Sequence, residues 1–230
     1  MGFIVKNTTF SKLLDLVAPH SCRGCGAIGE AFCDRCKKDI FKHHFNICPN
    51  CKYKKSTPKC SKCKTLPSTF IVADYDGIMG KLIHEFKYNS VRELGYELAD
   101  LLDKTLPTLP KYTIIVPFPT ATHHIRERGL DHTLLISKHL AKLRHLEIQK
   151  ILVRENNTTQ VGSDRKTRLN QAKSAIEINP KIILDSSKTY LLLDDVWTTG
   201  ASMKSAIKKL QQAGAKNIIV ALLATRRLDH

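Results

Sequence analysis

The chain has 230 residues, 42% of them hydrophobic, and a formal net charge of +16. That apolar content excludes a disordered chain, and no run approaches the roughly 18 apolar residues that a membrane-spanning helix needs. The length fits one large domain or two smaller ones.

The opening residues, MGFIVKNTTFSKLL, lack the sustained apolar core and small-residue cleavage site of a signal peptide. A cytoplasmic chain is expected, with a peripheral place at the inner membrane through partners left open. The charge is uneven: residues 1–68 hold 13 Lys/Arg and 4 Asp/Glu, an excess of +9, and residues 69–230 hold the other +7. Clustered Lys and Arg suit phosphates, so nucleic acid is one candidate partner of the first region. The bland alternative is that the excess offsets metal-bound thiolates, since eight of them on two Zn²⁺ carry a net charge of about −4.

Residues 10–17 (FSKLLDLV) read as a short helix ending before Pro19. Four Cys-x-x-Cys pairs follow: Cys22/Cys25, Cys33/Cys36, Cys48/Cys51 and Cys60/Cys63. That spacing lets two thiolates from one tight knuckle reach the same tetrahedral metal. Gly24 and Gly26 let the first knuckle turn sharply, and Asp34-Arg35 and Pro49-Asn50 read as turn residues. A disulfide framework belongs with secretion, and four copies of a redox pair would be unusual. Two structural zinc ions are expected. Short loops favour sequential pairing, Cys22, Cys25, Cys33 and Cys36 on one ion and Cys48, Cys51, Cys60 and Cys63 on the other, over a cross-braced arrangement. His20, His43 and His44 read as surface residues.

Leu66-Pro67-Ser68 marks a boundary, dividing the chain into residues 1–68 and 69–230. Beyond it, residues 70–75 predict a strand, 79–88 and 91–106 amphipathic helices, and 114–118 a buried strand. A loop at 120–131, a helix at 133–146 and a strand or sheet edge at 148–153 come next. Residues 156–173 are polar and aperiodic and read as a mobile loop, followed by a brief strand at 174–178. The last strand is expected at 218–224.

Residues 190–202, YLLLDDVWTTGAS, carry the most chemistry. An apolar run, two aspartates and a small-residue turn describe a central parallel strand, a loop at 194–202, and a helix running toward Gly214. Ligands of open α/β sheets bind at such strand ends. Thr198, Thr199, Gly200, Ala201 and Ser202 can offer backbone N–H groups and hydroxyls to a phosphate at the helix N-terminus. Asp194 and Asp195 suit sugar hydroxyls or a partly hydrated Mg²⁺. Phosphate, vicinal diol and Mg²⁺ together describe a ribose 5-phosphate.

The string LLLDDVWTTGAS resembles the ribose-phosphate loop of type I phosphoribosyltransferases, which transfer ribose 5-phosphate from phosphoribosyl pyrophosphate (PRPP) to a nitrogen nucleophile with Mg²⁺. Four Cys-x-x-Cys knuckles, then HEFKY, VPFPTATHHIRERGLDHTLLISKHL, a Gln…Arg…Asn loop and LLLDDVWTTGAS resemble, in that order, the ComF family. The resemblance covers nearly the whole chain. It implies an α/β fold: a type I phosphoribosyltransferase-like parallel sheet with flanking helices, preceded by a small double zinc-ribbon domain. It also implies a role in natural transformation, the handling of incoming single-stranded DNA alongside competence-machinery proteins. No acceptor is implied. Most family members read RERGFNQ where residues 126–132 here read RERGLDH.

On this resemblance the 198–202 loop holds the 5-phosphate, and Asp194 and Asp195 hold ribose hydroxyls and Mg²⁺. Arg126 or Arg128 helps with pyrophosphate. Gln160, Arg165, Lys166 and Arg168 lie on a candidate lid. No base for the nucleophile stands out. The rival expectation is a non-catalytic module that senses PRPP or docks a nucleic-acid 5′-phosphate. A third keeps only a zinc scaffold and leaves the DD…TTG string without a job.

Overall fold

The computed structural model describes residues 21–42, 47–54, 57–89, 91–154 and 176–226. The expectations for residues 10–17, for His20, His43 and His44, and for the 156–173 loop with Gln160, Arg165, Lys166 and Arg168 lie outside these residues.

After a first knuckle, helix α1 (Asp34–Lys42) leads by way of the second cysteine group to strand β1 (Ser68–Asp74). Then come α2 (Gly77–Tyr88), α3 (Leu94–Thr105), β2 (Thr113–Pro117), α4 (Thr122–Arg128), α5 (His132–Arg144) and β3 (Glu147–Ile148). Short strands β4 (Leu152–Arg154) and β5 (Ile176–Ile178) precede β6 (Thr189–Trp197), α6 (Ala201–Gln212) and β7 (Asn217–Thr225). Five strands form one parallel sheet in the order β1-β7-β6-β2-β3, and β4 pairs with β5 antiparallel.

The apolar run of β6 explains its central place. Successive side chains of a strand point to opposite faces, and both faces here are covered. Leu191 and Leu193 join a core with Leu82, Phe86, Leu98 and Ile136 from α2, α3 and α5. Tyr190 and Leu192 join a second core with Met203, Ile207 and Leu210 from α6. All four strand residues are at most 1% exposed. Each such burial contributes about 1.5–3 kcal/mol.

The cysteine region is built into both cores. Cys22, Phe32, Cys36 and Ile40 pack in the first, and Cys48, Cys60 and Leu66 in the second. Lys37–Glu97 at 2.9 Å and Arg23–Glu85 at 3.7 Å add ion pairs onto α3 and α2. Arg144, at the end of α5, donates to Asp103 Oδ1 and to the carbonyls of Asp103 and Leu106, satisfying the C-terminal end of α3.

Four elements differ from expectation. The strand or edge expected at 148–153 is two short strands in different sheets, β3 beside β2 and β4 beside β5. Asp34 opens a helix rather than a turn. Residues 122–128 form α4 within the expected loop. Strand β6 runs on to Trp197, because Asp194, Val196 and Trp197 keep register with Leu222, Ala224 and Thr225 of the equally long β7. The connection to α6 is therefore only Thr198–Gly200.

Candidate functional site

The cysteines converge as two groups of four: Cys22, Cys25, Cys33 and Cys36, and Cys48, Cys51, Cys60 and Cys63. Within each group all Sγ atoms lie within 4.8 Å of one another. Cys22–Cys36, Cys25–Cys33, Cys48–Cys63 and Cys51–Cys60 stand 3.8, 3.7, 3.7 and 3.5 Å apart. Four sulfurs about 2.3 Å from a tetrahedral Zn²⁺ would be about 3.8 Å apart, so each group can hold one zinc ion. The pairing is sequential.

The knuckles share a backbone device. The N–H of the residue after the second cysteine donates to the carbonyl of the first: Gly26 to Cys22, Lys52 to Cys48, Lys64 to Cys60 and Lys37 to Cys33. Gly26, Lys52 and Lys64 hold left-handed φ of 78°, 59° and 51°; in the remaining knuckle the chain continues into α1 instead. Gly24 is needed for room, since a Cβ there would stand 2.8 Å from Cys36 Sγ. Thr65 Oγ1 donates to Cys63 Sγ at 3.2 Å, a contact that steadies a thiolate.

A pocket of about 360 Å³ opens at the carboxyl ends of β2 and β6 and the N-terminus of α6. The structure gathers Asp194, Asp195 and all of residues 198–202 in its lining, together with Arg128. Arg126 is exposed on α4 and is not in the lining. The pocket also takes in Lys87 and Arg154, which sequence reasoning passed over. Lys87 lies in the last turn of the HEFKY helix, one residue past buried Phe86; a cation next to the last apolar anchor of a helix was the available signal. Arg154 ends the short strand β4, and nothing in its sequence neighbours marks it.

The acidic pair is tightly wired. The Asp195 N–H donates to Asp194 Oδ1 at 2.8 Å, and Lys87 Nζ lies 2.6 Å from Asp195 Oδ2. Burial pushes the Asp194 carboxyl up to about 8, and the neighbouring Asp195 charge adds to this. Arg154 donates from Nε to Pro119 O at 2.7 Å. Burial disfavours its charge, and Asp194 favours it.

The 198–202 loop is set by Gly200. It has φ +74°, and a Cβ there would fall 2.0 Å from the Trp197 ring, itself only 3% exposed. The tight turn onto that ring brings the chain into α6, whose first N–H groups have no intrahelical partner; the Ala201 N–H donates to Thr199 Oγ1 at 3.5 Å. Thr198, Thr199, Ala201 and Ser202 are exposed around it. Asp131 caps α5: its Oδ1 accepts from Leu134 N at 3.1 Å and from Thr120 Oγ1 at 3.0 Å. Asp131 thus supplies a helix cap, and His132, the next residue, part of the pocket wall.

Fold and site together describe a parallel α/β protein with an acidic pair and a short loop of small polar residues at the end of its central strand, joined to two four-cysteine groups. No protein-family model matches the chain. It is similar to the competence protein ComFC of Streptococcus pneumoniae, 24% identical over 221 residues that cover 91% of this chain and 90% of the relative. It is also similar to competence protein F of Haemophilus influenzae, 28% identical over 216 residues, 86% of this chain and 93% of that one. The resemblance to the ComF family therefore holds over most of the chain. Among solved structures it is similar to the glutamine PRPP amidotransferase from B. subtilis complexed with ADP and GMP. There the identity is 14% and the TM-score 0.42, over 60% of this chain and 30% of that enzyme's.

Proposed function

We propose that the protein is a ComF-like, phosphoribosyltransferase-type protein that binds PRPP with Mg²⁺ and acts in natural transformation. Residues 1–68 would be its zinc module, with two Zn²⁺, and residues 69–230 its ribose-phosphate domain. The observation that carries this reading is the placement of Asp194 and Asp195 in the same pocket as the Thr198–Ser202 cradle. A 5-phosphate would sit on the α6 N-terminus and the ribose hydroxyls on the two carboxylates. Arg128 and Arg154 line the same wall and suit a pyrophosphate. Mg²⁺, held through Asp194 or Asp195 and water, would neutralise charge on the pyrophosphate as it leaves. The protein groups position the substrate and favour the charge that develops when the C1–oxygen bond breaks.

The relatives' names point to competence, and single-stranded DNA and competence-machinery proteins would then be the partners, met in the cytoplasm. Among the described residues, no helix is long and apolar enough to cross a membrane.

A second reading has its own support. Asp195 is already committed to Lys87, so the acidic pair is less open to Mg²⁺ than a free site would be. In that reading the loop binds PRPP or a nucleic-acid 5′-phosphate without turnover.

The test is the double substitution Asp194→Asn with Asp195→Asn. PRPP binding is expected to vanish while circular dichroism stays that of the wild type. Unchanged PRPP affinity would overturn the assignment of the acidic pair. Turnover in a screen for pyrophosphate release separates the two readings.

A further inference from the structure

The eight cysteines are not equally covered. Cys22, Cys36, Cys48 and Cys60 are buried and belong to the two cores. Cys33, Cys51 and Cys63 are half-buried, and Cys25 is the one exposed cysteine. The sulfur pairs follow the same order. Cys22–Cys36 is buried, Cys48–Cys63 and Cys51–Cys60 are partly buried, and Cys25–Cys33 at 3.7 Å lies open to solvent. Proximity alone does not single this pair out, since Cys51 and Cys60 stand closer, at 3.5 Å. Access does.

The local chain explains the difference. Cys25 begins a run of six exposed residues, 25–30, in which Ile28 is 78% exposed. The other sulfurs of its group are screened. A Cβ on Gly24 would stand 2.8 Å from Cys36 Sγ, so the knuckle backbone covers that sulfur, and Cys22 Sγ accepts the Cys33 N–H at 3.4 Å. In the second group buried Pro49 lies within the 48–51 knuckle, and Thr65 Oγ1 covers Cys63 Sγ. The group beside Cys25 is the guanidinium of Arg35, exposed on α1 and hydrogen-bonded to the Cys25 sulfur. An accessible sulfur next to a cation is the setting in which cysteines react. The same guanidinium can hydrogen-bond an oxygen leaving as hydroxide.

We propose that Cys25 is an oxidative modification site: hydrogen peroxide joins Cys25 to Cys33 as a disulfide and releases the zinc ion of the first group, while the second group keeps its ion. The inference rests on the zinc reading of the four-cysteine groups. The Cys25 thiolate attacks one peroxide oxygen. An S–O bond forms, the O–O bond breaks, and hydroxide leaves and takes up a proton from solvent. The Cys33 thiolate then attacks the Cys25 sulfur. An S–S bond forms, the S–O bond breaks, and a second hydroxide leaves as water. The two thiolates give up two electrons, and peroxide gains them. Cys22 and Cys36 are then the only thiolates left to an ion that structural sites hold with four ligands, and it dissociates. A dithiol reductant and Zn²⁺ reverse the change, which makes it transient in a reducing compartment. Arg23 and Lys37, beside this group, pair with Glu85 of α2 and Glu97 of α3, so loss of the ion loosens the docking of the cysteine region on those helices.

The experiment treats the zinc-loaded full chain with hydrogen peroxide and follows zinc release with a chromogenic chelator and native mass spectrometry. One Zn²⁺ per chain is expected to leave about tenfold or more faster than the other. Peptide mapping at that stage should find Cys25 joined to Cys33, with Cys48, Cys51, Cys60 and Cys63 still reduced. Dithiothreitol with Zn²⁺ should restore two ions. Arg35→Leu, a change at an exposed position, should hold two ions without peroxide and release the first several-fold more slowly. Cys25→Ser with Cys33→Ser should show no fast release at all. Two ions that leave together, a disulfide that maps to the second group, or fast release from the double variant overturns the inference and leaves the zinc reading standing. A chain that takes up no zinc overturns both.

Discussion

Lys87 Nζ stands 2.6 Å from Asp195 Oδ2, and each side chain is only 16% exposed. The C-terminal turn of α2 thus delivers a cation to the end of the central strand. This pair compensates one of two adjacent carboxylates, and removing a partner from a buried pair leaves a charge uncompensated. Lys87→Met is therefore expected to destabilise the protein by about 1–3 kcal/mol at pH 8. Millimolar Mg²⁺ should recover part of that loss by taking the place of the ammonium. Thermal unfolding with and without Mg²⁺ checks both halves; a variant as stable as wild type would remove the ion pair from the account.

Asp194 makes stability depend on pH in a direction opposite to that of a salt-bridged carboxylate. Its folded-state value is raised to about 8, above the ordinary 3.8, so the folded protein holds a proton that the unfolded chain releases. Stability from this group is fully present below the unfolded value and falls as pH rises through the window between them. Asp194→Asn should thus gain on wild type steadily from about pH 4 to pH 8 and level off above, reaching about 1–3 kcal/mol after allowance for solvent access. Denaturant unfolding across that range measures it. A gain independent of pH would show that Asp194 is ionised throughout.

Gly200 is the one glycine of the 198–202 loop. A Cβ there would lie 2.0 Å from the Trp197 ring, and the φ of +74° disfavours any side chain. Gly200→Ala should displace the loop, cost about 1–3 kcal/mol or more, and remove PRPP binding. Calorimetry on the refolded variant tests this; retained affinity would mean that phosphate binds elsewhere.

The sequential cysteine groups predict how zinc is lost. Cys25→Ser with Cys33→Ser disables a single group, so one Zn²⁺ per chain should remain of about two. A cross-braced arrangement would place these two cysteines on different ions, and both would be lost. Zinc content by mass spectrometry under native conditions distinguishes the outcomes.

The central strand and its acidic end were legible because three leucines running into two aspartates leave little choice. A buried run of that length belongs in the middle of a sheet, and the polar end must face a ligand or water. The cysteine pairing was legible from spacing alone. Helix α1 was not, because Cys33 stands just before it and Cys36 in its first turn, and the i,i+3 spacing of a knuckle is also that of a helix. Helix α4 was hidden for the opposite reason: none of its seven residues is buried, so THHIRER carries no apolar period. Lys87 and Arg154 reach the pocket from elements far away in sequence, and only the tertiary fold places them beside Asp194 and Asp195. His132 reads locally as a helix-start residue; that it is buried with its Nε2 on Phe86 O, 46 residues earlier, follows only from the fold.

The most direct measurement is calorimetric titration of the zinc-loaded chain with PRPP, with and without Mg²⁺. The account predicts saturable binding at one site per chain that weakens without the metal and is lost in the Asp194→Asn, Asp195→Asn protein. No binding under either condition, with the fold intact, would contradict a ribose-phosphate site at the end of β6.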